Sequence, residues 1–175
     1  GEEEAHRLDA MLEGAALTYH NMTKIADYED FFRTIPADED VVLCGGDGTL
    51  NECVNGAVGH SNVAVTHFPC GTGNDFIKMF GEEKERFFDL AELVRGEVRA
   101  LDVMECCGRY AINICSVGID ARIGTEVHQY HDSYVLSAVA NLFKGISQPL
   151  TVRGCGMDYS GGTSLICACN GRFYG

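Results

Sequence analysis

The sequence predicts an α/β protein in two parts: a mainly parallel three-layer domain over residues 1–97 and a β-rich domain from residue 98. Three observations predict it. Helix-patterned and strand-patterned segments alternate as far as residue 97, the order that builds a parallel sheet with helical crossovers. Beyond residue 98 the pattern becomes a series of short strands interrupted by one helix. Glycine, at 21 of 175 residues against an ordinary share of about 7%, stands in scattered turns and in two clusters that each follow a strand.

Glu2–Glu13 reads as a helix, because acidic residues fill its first turn and Leu8, Met11 and Leu12 line one face. Ala15–Tyr19 reads as a short strand. A helix over about Asp27–Thr34 turns Tyr28, Phe31 and Phe32 inward and is stopped by Pro36. Val41–Cys44 is a continuous apolar run suited to a parallel strand covered on both faces. It ends at Gly45-Gly46-Asp47-Gly48-Thr49, after which Leu50, Val54 and Val58 mark a helix. Val63–Phe68 is the next strand, and Pro69-Cys70-Gly71-Thr72-Gly73-Asn74-Asp75 turns it into a helix carrying Phe76, Ile77, Met79 and Phe80. Glu83–Arg95 reads as a helix closed by Gly96. After the boundary, Ala100–Cys106, Tyr110–Cys115, Leu150–Gly154 and Ser164–Cys169 read as strands. The helix at about Ser133–Phe143 carries a stripe of Tyr134, Val135, Leu136, Val139, Leu142 and Phe143, expected to cover the strands of the second domain.

Composition excludes several function classes. A hydrophobic share of 46% with 22% charged residues is that of a folded domain rather than a disordered tail. The net charge of −13 argues against a nucleic-acid binder, whose affinity rests on Lys and Arg neutralising phosphates, and against adsorption to an anionic membrane by charge alone. No apolar stretch is long enough to span a bilayer. Nine cysteines without a Cys-x-x-Cys pair point to reduced thiols in a cytosolic protein rather than a zinc site or a disulfide framework. His128 and His131 stand at helical spacing, but without a third ligand they read as a solvated helix end. His67 reads as packed beneath the second loop. The chain opens at Gly1 and closes at Gly175 one turn after an apolar run, so a longer parent protein is expected.

The two glycine loops carry the chemistry. Each lies at the carboxyl end of a strand and opens a helix, the edge of an α/β sheet where ligands bind. Glycines there let backbone N–H groups approach a phosphate chain beside the positive end of a helix. Thr49 and Asn51 add side-chain donors. Asp47 would repel a phosphate unless a Mg²⁺ ion or a substrate hydroxyl intervened. Gly71-Thr72-Gly73-Asn74-Asp75 repeats the arrangement, so Asp47 and Asp75 are expected to face one site. Ordinary βα turns with Asp and Thr as helix caps are the alternative; two such loops on successive strands favour phosphate. Neither loop is a Walker A or a Gly-x-Gly-x-x-Gly motif.

Val41–Asn55, VVLCGGDGTLNECVN, and Phe68–Phe80, FPCGTGNDFIKMF, resemble the catalytic domain of diacylglycerol kinases, which soluble bacterial lipid kinases and sphingosine kinases share. The first string alone also resembles NAD kinases and phosphofructokinases; the second selects the lipid-kinase branch. Val98–Val103, Asn113–Ala121 and the helix after Ser133 fit as well. The resemblance implies a nucleotide-binding α/β domain and a β-sandwich domain with ATP in the cleft between them. Gly45, Gly46, Asp47, Gly48, Thr49, Leu50 and Asn51 would lie around ATP, with Gly71, Thr72 and Asn74 from the second loop. Asp47 and Asp75 would serve catalysis and hold Mg²⁺. A family threonine has its nearest candidate in Thr23, with Met22 as the alternative.

The family's opening Asn-Pro-x-Ser-Gly loop and first strand have no counterpart here. Its catalytic base, in an Asp-Gly-Glu stretch late in the second domain, is expected beyond residue 175. The implied activity is transfer of the ATP γ-phosphate to the hydroxyl of diacylglycerol or a similar lipid, giving phosphatidic acid. It would take place in a cytoplasmic protein, peripheral at the inner membrane surface when active. The resemblance leaves room for a homodimer and implies no nucleic acid. The stripe on 133–143 would then line a lipid cleft or touch a bilayer. A kinase of a soluble alcohol, NAD-kinase-like, and a nucleotide-binding regulatory module without catalysis are the alternatives.

Overall fold

The computed structural model describes residues 6–7, 10, 17–37, 39–60, 63–126, 129, 133–143 and 145–174. Most of the expected Glu2–Glu13 helix, the start of the expected Ala15–Tyr19 strand, and His128 and His131 fall outside these residues; Leu17–Tyr19 is irregular. Contacts divide the chain into two units, Gly1–Asn113 with Asn170–Gly175, and Ile114–Cys169.

The first unit is built on strands β1 (Val41–Gly45) and β2 (Val65–Pro69), paired in parallel with Leu43 opposite His67 and Gly45 opposite Pro69. Helix α1 (Tyr28–Thr34) is capped by Asp27, whose carboxylate accepts from the Asp30 N–H. Helix α2 (Asp47–Ala57) follows β1 directly. The two helices cross closely at Gly56, where a Cβ would meet the Tyr28 Cβ at 2.6 Å. Phe32, Leu43, Leu50, Cys53, Phe76, Ile77 and Ile112 form the main core, and Phe68 and Leu90 form a second cluster with Val42 and Cys44. Apolar side chains therefore cover both faces of the β1–β2 pair, as the unbroken apolar run of β1 demands. Burial pushes the Cys53 thiol up to about 12.

Helix α3 (Asp75–Lys78) follows β2, and a 3-10 segment over Gly81–Phe88 leads to helix α4 (Leu90–Leu93). A single helix over Glu83–Arg95 is not what forms. Asp89 takes an extended backbone and its carboxylate accepts from the Ala91 and Glu92 N–H groups, so it starts a new helix in the middle of the expected one. The hairpin of β3 (Met104–Cys106) and β4 (Arg109–Ala111) also belongs to this unit. The division thus falls at residue 113 rather than 98. The reason is a pair of asparagines one turn apart on α2. Asn55 accepts from the Tyr110 N–H at 2.8 Å and donates to the Tyr110 carbonyl at 2.7 Å. Asn51 donates to the same carbonyl at 3.2 Å and accepts from the Ile112 N–H at 3.1 Å. Two side-chain amides supply β4 with the partners that a neighbouring strand would give.

The second unit is antiparallel. Strand β5 (Ile114–Gly118) pairs with β8 (Leu165–Cys169), and β6 (Gln148–Gly154) pairs with β7 (Met157–Thr163). The expected Tyr110–Cys115 strand is therefore two strands, β4 and β5, and β7 was not expected. Helices α5 (Ile119–Glu126) and α6 (Tyr134–Phe143) pack together. The apolar stripe of α6 is not the buried face. Ser137 and Asn141 are fully buried, whereas Val135, Leu136, Val139 and Leu142 are exposed. Ser137 donates to the Ile123 carbonyl, and Asn141 donates to Glu126 and to the Ser137 carbonyl. Hydrogen bonding to α5, rather than apolar burial, sets how this helix is turned.

Candidate functional site

The loop after β1 and the loop after β2 meet backbone to backbone. A Cβ on Gly71 would lie 2.6 Å from the Gly46 Cα, and one on Gly46 would lie 3.0 Å from the Gly71 Cα. No side chain fits between the loops, so both positions require glycine for close approach. Gly45 is restricted in another way: a Cβ there would meet the Thr49 Cβ at 2.7 Å, so the threonine side chain lies over it.

Two side chains stitch the arrangement. Asn74, in the left-handed region at φ 50°, accepts from the Gly71 N–H and donates to the Gly71 carbonyl, both at 2.9 Å. The Asp47 Oδ1 accepts from the Phe76 N–H at 3.0 Å, tying the first loop to the first turn of α3. Asp75, largely buried, pairs with Lys78 at 2.5 Å. A Cβ placed on Gly73 would lie 3.2 Å from the Asp47 Oδ2 and 4.0 Å from the Asp75 Oδ1, so both carboxylates border one small space.

The N-cap of α2 is Gly46, and no side chain among the described residues caps this end. The Leu50 N–H takes the Gly46 carbonyl, whereas the first-turn donors of Asp47, Gly48 and Thr49 precede the helical ladder. Gly48 is exposed, and nothing lies within 4 Å of where its Cβ would be. Thr72 and Gly73 are exposed beside it in the second loop.

The structure brings together Gly45, Gly46, Asp47, Gly48, Thr49, Gly71, Asn74 and Asp75. Leu50 is buried in the core, and the Asn51 amide bonds the Tyr110 carbonyl and the Ile112 N–H, so both side chains leave the loop. Thr23 sits in a 3-10 turn, where its hydroxyl donates to the Asn21 side chain at 2.7 Å; neither loop is among its hydrogen-bond partners. The sequence reading missed the Asp75–Lys78 pair and the Asp47–Phe76 bond. His67 is buried, as its reading as a packed residue expects; what the sequence did not show is that its Nε2 lies 3.0 Å from the Gly45 carbonyl, in the first loop rather than the second. Burial lowers the His67 pKa from its ordinary 6.5, opposed by that hydrogen bond and by the negative charge of Asp47.

The sequence profile of the diacylglycerol kinase catalytic domain matches residues 1–106. The chain belongs to that family. A Staphylococcus carnosus (strain TM300) protein named "Putative lipid kinase" is 30% identical over 140 residues, 76% of this chain and 46% of that protein. One from Staphylococcus aureus (strain MRSA252) with a similar name is 28% identical over 171 residues, 93% of this chain and 54% of that protein. This diacylglycerol kinase family chain thus spans about half the length of the curated relatives it matches. Among solved structures it is similar to two described as a putative diacylglycerol kinase from Bacillus anthracis str. Sterne. One has TM-score 0.63 at 17% identity, covering 99% of this chain and 62% of that one. The other has TM-score 0.59 at 20% identity, covering 89% and 54%. These two share the fold.

Mg²⁺, which the family resemblance implies, is compatible with the donor set. Among the described residues no group of three or more His, Cys, Asp or Glu side chains is arranged to hold a metal ion. Asp47 and Asp75 supply two carboxylates, and Mg²⁺ usually takes only one or two from protein, with water and phosphate completing its shell.

Proposed function

We propose that this chain carries the ATP-binding half of a lipid kinase, which transfers the γ-phosphoryl group to the hydroxyl of a diacylglycerol-like lipid. The observation that carries the reading is the glycine-to-glycine contact of Gly46 and Gly71, which joins two phosphate-type loops beside the uncapped end of α2. Backbone N–H groups of the first loop would bind phosphate oxygens, unobstructed at Gly48. Asp47 and Asp75 would hold Mg²⁺, which when bound offsets phosphate charge. Asp47 also orients the second loop through the Phe76 N–H, so one residue serves both loops. Catalysis in this reading is positioning plus charge neutralisation. Thr72 and Thr49 are placed in the two loops to add hydroxyl donors.

The lipid acceptor is supported by family membership and by the exposed apolar face of α6, with Val135 exposed to 72%. No helix among the described residues is long and apolar enough to cross a membrane. The test is transfer from radiolabelled ATP by the whole protein, offered diacylglycerol in mixed micelles and, separately, NAD and sugar alcohols. Labelled phosphatidic acid supports the reading. Label only in a soluble product assigns the other substrate class, and ATP binding without any transfer assigns a regulatory module.

A further inference from the structure

His67 stands in the core, where an apolar side chain would satisfy every packing need. It is opposite Leu43 in the β1–β2 pair, 4% exposed, with its ring 5.9 Å from that of Phe76. Its Nδ1 is buried and has no hydrogen-bond partner among the described residues. A half-satisfied imidazole in a core is unfavourable relative to an apolar residue, so its one bond calls for an explanation. That bond runs to the Gly45 carbonyl, which also accepts from the Cys70 N–H at 2.9 Å. Since a carbonyl offers no proton, Nε2 is the protonated nitrogen.

The Gly45 carbonyl and the Gly46 N–H belong to one planar trans peptide unit, so fixing one direction fixes the other. This unit lies between two glycines, the residue type least resistant to the dihedral changes of a peptide flip. We propose that His67 is a positioning residue that holds the Gly45–Gly46 peptide unit in one orientation and thereby aims the first donor of the phosphate loop. The Cys70 N–H is the ordinary sheet partner of that carbonyl; His67 fills its second acceptor position. The role in nucleotide binding rests on the function proposed above, whereas the hold on the loop does not.

The experiment compares His67→Leu with His67→Gln, whose side-chain amide nitrogen can reach the same carbonyl. Amide hydrogen exchange of Gly46–Asn51 and Cys70–Asp75 is read without ligand. Exchange about tenfold faster in the leucine variant is expected, with the glutamine variant close to wild type and neither losing thermal stability. Affinity for Mg²⁺-ATP, measured by calorimetry, should follow the same order. Unchanged loop exchange in a folded His67→Leu protein overturns the proposal, as does a folded His67→Gln protein that behaves like leucine. If wild type binds no ATP while the exchange pattern holds, the proposed function fails and the hold on the peptide unit stands. Imidazole nitrogen chemical shifts give an independent check, and a ring protonated on Nδ1 alone also overturns it.

Discussion

Substituting Gly48 by alanine separates a phosphate loop from an ordinary helix start, because the two predict opposite relations between stability and binding. Gly48 is the second residue of α2, is exposed, and has nothing within 4 Å of the new methyl group. Glycine in a helix costs up to about 1 kcal/mol relative to alanine, and at a first turn roughly half of that is reasonable. For a chain of this size each kcal/mol shifts Tm by about 2–4 °C, so Tm should rise by about 1–2 °C. If phosphate oxygens lie against this backbone, the methyl group holds them away and one or two charge-assisted hydrogen bonds are lost. Each is worth about 1.5–3 kcal/mol, so Mg²⁺-ATP affinity should fall about 10- to 150-fold for one lost bond and further for two. Gly71→Ala provides the contrast. Its methyl would sit 2.6 Å from the Gly46 Cα, about 1 Å inside an ordinary contact, and the cost of overpacking is about 1–3 kcal/mol. Differential scanning fluorimetry and titration calorimetry on both variants read the result. A Gly48→Ala protein that is as stable as expected and binds ATP with unchanged affinity refutes the phosphate assignment of this loop.

Asp47→Asn keeps an oxygen that can accept from the Phe76 N–H, so stability should change by no more than about 1 kcal/mol. Phosphoryl transfer by the whole protein should fall by at least about a hundredfold, read from labelled product. Asn55→Ala strips the Tyr110 N–H of the Asn55 side-chain oxygen and leaves the Tyr110 carbonyl to the longer Asn51 bond, and should cost about 1–3 kcal/mol in denaturant unfolding, with β3–β4 amides losing exchange protection. The His67 pKa is lowered in the folded state, so as pH falls below 6.5 the unfolded chain takes a proton that the folded chain refuses. Stability present in full above 6.5 should decline as pH falls toward the lowered folded value. A series of urea midpoints from pH 7.5 to 5 checks this, and His67→Leu should flatten part of the decline.

The glycine loops were legible because their demands are local: a βα turn approached by another backbone can be built only from glycine, and that leaves a mark in the sequence. Strands β1 and β2 were legible within two residues because a strand covered on both faces must be apolar throughout. Other features depend on partners remote in sequence. The two-residue turns of β3–β4 and β6–β7 are Cys107-Gly108 and Cys155-Gly156, with positive φ at all four residues; Cys-Gly is a poor flag for a turn that favours Asn-Gly, and β7 went unread with it. The helical period of α6 correctly grouped Val135, Leu136, Val139 and Leu142, but a period says which residues share a face and not which face is covered. The reach of His67 to Gly45 follows from the register of β1 against β2, and the break at Asp89 from a local cap that outcompeted helix continuation.

Nuclear magnetic resonance titration of the nitrogen-15-labelled chain with Mg²⁺-ATP tests the central claim most directly, since the claim is that two loops form one phosphate site. The amides of Gly45–Thr49 and Gly71–Asp75 should shift together along one binding curve. Saturating ATP that leaves both loops unmoved, or moves one without the other, would contradict it.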